Sequence, residues 1–217
     1  MKVYTHYYKN NNLAFRWRTL LQFGDSWEVI GTIVMKNPGT ASPIDIVCDA
    51  EILAHLSRFD DNGNSWYEFS ADSTMNCVGE LFAYYYSKAN RHELNGVIQI
   101  FNLFYIKDGN LFNALKKDEG ISSPFIFSSE YDILNYDLER LVMPVYLGFA
   151  DLAFHKKYKD RAMLFYNKAK SLGMNYCHPD FMENRFIHPQ YLMLYGKNKQ
   201  ASINVRNDFK LNQYTGI

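Results

Sequence analysis

Two kinds of hydrophobic pattern follow one another along this chain, and each predicts a different kind of element. Continuous or alternating apolar runs, rich in β-branched residues, predict strands. The predicted strands are 13–22, 27–35, 96–102, 141–149 and 174–177. Apolar residues spaced by three and four positions predict helices. The predicted helices are 46–59, 73–90, 110–117, 130–140 and 158–172.

Turn and cap residues define the ends of several of these elements. Residues 24–26 (Gly-Asp-Ser) are expected to turn the chain between the first two strands, so that these form a hairpin. Asp72 or Ser73 is suited to capping the amino end of the second helix, and Gly173 to ending the last one. Pro144 lacks a backbone N–H, so its strand lies at a sheet edge or starts after the proline.

Strands that alternate with helices predict an α/β fold. We expect three layers, α/β/α, around a central, mostly parallel sheet of four to five strands, in one domain over residues 1–217. Ligands of such folds bind at the carboxyl ends of the strands. The loops expected to meet there hold Asn37, Asn102 and the two His-Pro pairs at 178–179 and 188–189.

The loop at 37–39 has the sequence Asn-Pro-Gly and follows the apolar strand directly. Proline fixes φ and glycine supplies a positive φ, so the three residues are typical of a tight turn. The segment is therefore either a simple turn or a turn that directs Asn37 into a ligand site.

Composition excludes some classes of protein. Hydrophobic residues make up 47% of the chain and charged residues 21%, which is typical of a globular protein with ample core material. No run approaches the roughly 18 apolar residues of a membrane span, and no apolar signal segment follows Met1. Cys48, Cys77 and Cys177 are far apart and form no metal-binding pattern, so we expect a cytoplasmic protein with reduced thiols and no metal.

Charge is balanced overall but unevenly distributed. Residues 1–140 hold 12 basic and 18 acidic side chains, whereas residues 141–217 hold 11 basic and 5 acidic ones. The basic part is suited to binding DNA phosphates, and the alternative is a set of solvated surface lysines. The candidate phosphate contacts are Lys197, Lys199 and Arg206.

The order of these motifs resembles the uracil-DNA glycosylase superfamily. In its mismatch-specific branch the first motif is Gly-Ile-Asn-Pro-Gly, and residues 35–39 here are Met-Lys-Asn-Pro-Gly. A second family strand ends in Asn, as residues 98–102 do, and the last motif, His-Pro-Ser, corresponds to His-Pro-Gln at 188–190. The family often has Asp at the first motif, where this chain has Asn37, and an amide cannot take a proton from water as a carboxylate does.

A closer resemblance, over most of the chain, is to a bacterial and phage family called domain of unknown function sixteen forty-three. Its motifs are Leu-Asn-Pro-Ser-Thr-Ala, Asp-Pro-Thr-Ile at a helix start, Asn-Leu-Phe, and His-Pro-x-x-His-Pro-Leu-Tyr. The corresponding segments are 36–41, 72–75, 102–104 and 188–192. This resemblance indicates the fold more directly than an activity, because function depends on individual sites.

The resemblance implies a site that accepts a base flipped out of DNA. Asn102 would bind the edge of the base, and the aromatic candidates for stacking on it are Trp66, Phe69 and Phe104. His188 would donate a hydrogen bond to the oxygen that becomes negative when the bond breaks, and Asn37 would hold the attacking water. No metal or cofactor is required.

Each of these residues also has a structural interpretation. Asn102 could cap a turn, His188 could bind backbone in a loop, and Trp66 and Phe69 could belong to the core. Asp72 could be only a helix cap, although the second resemblance gives it a chance of facing the site.

Three functions therefore stay open from the sequence. The first is a monomeric DNA N-glycosylase that hydrolyses the bond to a flipped base, modified or not, in single- or double-stranded DNA. The second is a non-catalytic module of the same fold that binds nucleic acid or a nucleotide. The third is an enzyme that acts on a free nucleoside, for which a narrow pocket without an adjoining basic groove would be expected.

Overall fold

The computed structural model describes residues 1–60, 63–119 and 136–211. Seven strands of these residues form one sheet in the order β4-β5-β1-β2-β6-β3-β7. Their bounds are β1 Lys2–Asn10, β2 Leu13–Phe23, β3 Val29–Met35, β4 Pro43–Ile46, β5 Trp66–Phe69, β6 Gly96–Asn102 and β7 Val145–Leu147.

The sheet is larger than the sequence indicated, and it is mostly antiparallel. Within the described residues four neighbouring pairs run antiparallel, and only β3 runs parallel to its two neighbours, β6 and β7. The prediction of a mostly parallel sheet of four to five strands was therefore wrong. The main reason is β1, which pairs with β2 through the short turn at Asn11, where φ is +49°, and thereby adds β5 and β4 on its outer side.

The predicted hairpin of β2 and β3 does not form, because β6 lies between the two strands. The turn at Gly24 (φ +59°) leads away from β2 and is tied to the residue that precedes β6. The backbone N–H groups of Asp25 and Ser26 donate to Oδ1 of Asn95 at 3.1 and 2.9 Å. This tie holds the loop to the start of β6.

Of the five α-helices that lie wholly within the described residues, three agree with the predictions at 73–90, 110–117 and 158–172, one is shorter than predicted, and the one at 200–211 was not predicted. The five helices are α1 Ala50–Leu56, α2 Ser73–Tyr85, α3 Leu111–Glu119, α4 Lys159–Ser171 and α5 Gln200–Leu211. Asp72 caps α2, since its Oδ1 accepts from the N–H of Met75 at 2.9 Å, and Gly173 follows α4 with φ +100°. Shorter 3₁₀ segments are Arg91–Glu93, Ala150–Phe154 and Phe181–Glu183, and Tyr191–Tyr195 is a π-helical turn.

Three predictions of secondary structure need correction or fall outside the description. The helix predicted at 46–59 is shorter, because the chain before it forms the edge strand β4. Residues 174–177 form no strand. The helix predicted at 130–140 lies partly outside the described residues. For Pro144 the sequence left two alternatives, a strand at the sheet edge or a strand that starts after the proline. Both hold, because β7 starts at Val145 and is the last strand of the sheet.

Helices pack on both faces of the strands β6, β3 and β7. Ile33 and Ile100 belong to a core with Phe82 of α2 and Phe209 of α5. The neighbouring positions, among them Val34, belong to a second core with α4. The chain thus has a mixed α/β architecture. Its parallel strands end side by side, because Met35 is in register with Asn102 and Val34 with Leu147.

Candidate functional site

A cavity of about 300 Å³ opens at the carboxyl end of β3. Its wall combines the segment after β3, the amino end of α2, the loop before α3, the segment around the second His-Pro pair and one side chain of β2. The polar and aromatic side chains of the wall are Arg16, Lys36, Asn37, Asp72, Thr74, Asp108, His188, Gln190, Tyr191 and Tyr195.

Asn37 lines this cavity and also fixes its own loop. Its Nδ2 donates to the carbonyl oxygens of Pro38, Ile106 and Asp108, at 3.1, 3.3 and 3.0 Å. The N–H of Asp108 donates in return to the carbonyl of Pro38 at 3.1 Å. The amide nitrogen thus joins the turn after β3 to the loop after β6, and the Oδ1 atom is the part of Asn37 that is left for a ligand or water.

His188 lines the same cavity as a neutral imidazole. Its Nδ1 accepts the backbone N–H of Gln190 at 3.4 Å, so the ring proton of the neutral form sits on Nε2. Burial, with a further contribution from the positive charge of Lys36, lowers the pKa of His188 from 6.5 to about 4. The negative charges of Asp72 and Asp151 oppose this change only in part. Near neutral pH the ring is therefore a hydrogen-bond donor without charge.

Asp72 supplies a carboxylate at the cavity wall. Its Oδ1 caps α2, and its Oδ2 lies beside Gly39, where an added Cβ would stand 3.0 Å from that oxygen. Glycine at position 39 therefore gives the carboxylate room. The cap interpretation of Asp72 is confirmed, and the same side chain also lines the cavity.

Arg16 is the cavity residue that sequence reasoning missed. It is only 3% exposed, and its Nε and Nη1 are buried without a hydrogen-bond partner. Its guanidinium carbon stands 5.7 Å from the ring centroid of Phe69. Burial lowers the pKa of Arg16 to about 10, and the negative charge of Asp72 opposes this change in part. No sequence signal distinguished it, because an arginine between Phe15 and Trp17 in a strand is normally assigned to the solvent face.

The predicted base-binding residues do not line the cavity. Asn102 ends β6 and is buried, with an Oδ1 that has no hydrogen-bond partner. Trp66 packs against His6 at 3.9 Å between ring centroids, and Phe104 stacks on Tyr158. Phe69 lies in the core below Arg16. The expectation that these aromatic rings stack on a base in this cavity is corrected by their burial, and the exposed rings at its rim are Tyr191 and Tyr195, 40% and 70% exposed.

The basic residues predicted to bind DNA phosphates have different surroundings. The Nη1 of Arg206 donates to the carbonyls of Leu192 and Lys197 at 2.7 and 2.9 Å, so this guanidinium holds α5 to the π-helical turn. Lys197 and Lys199 are both exposed, and Lys199 places its Nζ 5.1 Å from the ring centroid of Tyr191 at the cavity rim. Only Lys199 of these three approaches the cavity through a residue that lines it.

Residues 1–60, 63–119 and 136–211 contain neither a metal-binding cluster nor a membrane-spanning helix. No group of three or more His, Cys, Asp or Glu side chains there is arranged to hold a metal ion. No helix in this part of the chain has the length and apolar character needed to cross a membrane. No family model, curated protein or solved structure matches the chain, so any functional conclusion depends on the cavity itself.

Proposed function

We propose that the cavity binds a nucleobase and that the protein hydrolyses its N-glycosidic bond, as a DNA glycosylase does. The observation that supports this is the convergence of Asn37, Asp72 and His188 on one cavity of about 300 Å³. The cavity also lies where the parallel strands β3 and β6 end, with helices on both faces of the sheet, and ligands of open α/β sheets bind at such strand ends.

Two side chains have the chemistry that the bond cleavage needs. When the bond breaks, its electron pair moves to the base, and Nε2–H of His188 donates a hydrogen bond to the oxygen that takes up the charge. A water molecule forms the new bond to the sugar carbon and loses its proton to Oδ2 of Asp72. Asp72 thus accepts the proton of the water, which the amide of Asn37 cannot do.

Asn37 acts in this proposal as a positioning residue. Its Nδ2 holds the two loops that form the cavity floor, and its Oδ1 accepts a hydrogen bond from the water. Tyr191 at the rim, with Lys199 above its ring, offers a face on which the base stacks. These roles replace those first assigned to Trp66, Phe69 and Phe104.

A cleavage assay tests the proposal. Single-stranded oligonucleotides that carry uracil, hydroxymethylcytosine or a glucosylated base are incubated with the protein, and release of the base is measured. Asp72→Asn keeps a side chain that caps α2, so the helix start is retained while the carboxylate is lost. We expect the rate to fall by about 10²-fold or more. Asp160→Asn, an exposed change at the start of α4, is the matched control.

A non-catalytic binding module is the second candidate. It is favoured by the engagement of the Asn37 amide with backbone and by the burial of Asn102. Salt-dependent binding of the oligonucleotides with no base released from any of them would support this module and refute hydrolysis. Cleavage at an unchanged rate in Asp72→Asn would refute the assigned mechanism.

A further inference from the structure

We propose that the cavity also binds an oxyanion, a phosphate or a carboxylate group of the ligand, through the guanidinium of Arg16. This inference concerns a part of the ligand other than the base, and it holds whether or not the bond to the base is hydrolysed.

The first observation is the burial of an unsatisfied cation in the cavity wall. Arg16 is 3% exposed, lines the cavity, and keeps two buried nitrogen atoms without an acceptor. In the part of the chain that the structure describes, Arg16 forms no ion pair with a carboxylate. A buried charge without a partner is costly for the folded protein, so such groups are rare unless a ligand completes them.

The second observation is the charge balance around the cavity. Two cations near it are already paired with acids. The Nζ of Lys36 lies 2.7 Å from Oδ1 of Asp151, and the Nζ of Lys117 lies 2.7 Å from Oδ2 of Asp108.

Two more cations form no ion pair with an acid among the residues that the structure describes. Arg16 and Lys107 lie close enough that the charge of Arg16 contributes to lowering the pKa of Lys107, after burial. The acid that acts on both is Asp72. Lys107 does not line the cavity but neighbours Asp108, which does. With His188 neutral, Arg16, Lys107 and Asp72 together carry one surplus positive charge beside the cavity, and a ligand group with negative charge neutralises it.

The chemistry of arginine favours an oxyanion over a neutral base edge. The planar guanidinium offers parallel N–H donors that match two oxygens of a carboxylate or phosphate. The contact with Phe69 fixes the position of the guanidinium but satisfies none of its N–H donors. A neutral acceptor would leave the buried charge uncompensated, whereas an oxyanion provides both acceptors and charge.

Binding without turnover tests this inference on the full chain. Sodium phosphate, sodium acetate, deoxyuridine and deoxyuridine 5′-monophosphate are titrated calorimetrically at constant ionic strength. We expect phosphate or acetate to bind. If phosphate is the group recognised, deoxyuridine 5′-monophosphate binds at least about tenfold more tightly than neutral deoxyuridine. Binding of acetate in preference to phosphate would identify a carboxylate instead.

Variants assign the binding to Arg16. Arg16→Gln is expected to lower the affinity for the anion by about tenfold or more. Arg58→Gln, which removes an exposed arginine paired loosely with Glu28, is expected to leave the affinity unchanged. If Arg16→Gln does not fold, Lys107→Gln on the partly exposed loop is the second variant, and it is expected to lower the affinity for the anion several-fold. Absence of anion binding, or equal binding in Arg16→Gln, would overturn the proposal. Because no step requires cleavage, an inactive glycosylase would leave this result unaffected.

Discussion

Replacing His188 with Asn should make the stability of the protein less sensitive to acid. The folded state holds the pKa of His188 at about 4, whereas an unfolded chain has the ordinary value of 6.5. Between these values the unfolded state binds a proton that the folded state does not, so stability falls as the pH is lowered. At about 1.4 kcal/mol per pH unit the full effect is about 3 kcal/mol, and about 2 kcal/mol is expected because the ring is partly exposed.

The assay is urea unfolding of the wild type and His188→Asn at several pH values from 7 to 4. Asparagine cannot titrate, and its side-chain oxygen can still accept the N–H of Gln190. Asp137 contributes a pH dependence of the opposite sign, because burial raises its pKa to about 6 and its protonation in acid favours the folded state. This contribution is the same in both proteins and cancels in the comparison. His92→Asn, at an exposed position, is the control. If the two pH profiles run parallel, His188 is not held neutral by the cavity.

Two further predictions concern the stability of the unliganded protein. Arg16→Met should raise the free energy of unfolding by about 2 kcal/mol. The substitution removes a buried charge, and the lowered pKa of Arg16 corresponds to a cost of about 3 kcal/mol for burying it. It also removes the contact between the guanidinium and Phe69, which stabilises the protein by about 1 kcal/mol. Urea unfolding measures this, and a loss of stability would show that Arg16 is a structural residue. Asn37→Ala should lower stability by about 1–3 kcal/mol, because the carbonyls of Ile106 and Asp108 lose their donor, and an unchanged midpoint would contradict the loop-holding role.

The parts of the fold that were predictable depend on local signals. The apolar run before Asn37 is a strand, and the cap at Asp72 begins a helix, because each is determined by residues within a few positions. The cavity at the end of β3 follows from these two elements. The sequence therefore located the loop that forms the cavity floor.

Strand order was not predictable in the same way. The pairing of β2 with β6 joins residues far apart in the sequence, and a turn such as that at Gly24 is compatible with a hairpin or with a crossover. The hydrogen bonds from the turn to Asn95 accompany the crossover, and they are recognisable only in three dimensions.

The chemistry of the site was partly hidden for a related reason. The central strands are covered on both faces, so alternation does not tell which side of β2 or β6 faces a cavity and which faces a core. Asn102 and Phe104 were assigned to the ligand from the order of the motifs, although both are buried, and Arg16 was not considered. Motif order located the loops, but it did not determine how deeply each side chain lies.

Asp72 connects the two proposals, because its negative charge acts on both Arg16 and His188. Loss of that charge in Asp72→Asn removes repulsion toward an oxyanion at the cavity and also removes the base that accepts the proton of water. The same variant should therefore bind phosphate about as tightly as the wild type or more tightly, while its rate of base release falls by about 10²-fold. The same calorimetric titration measures this. Weaker phosphate binding in Asp72→Asn would mean that the carboxylate orients the anion site, and that one surplus positive charge does not explain the binding.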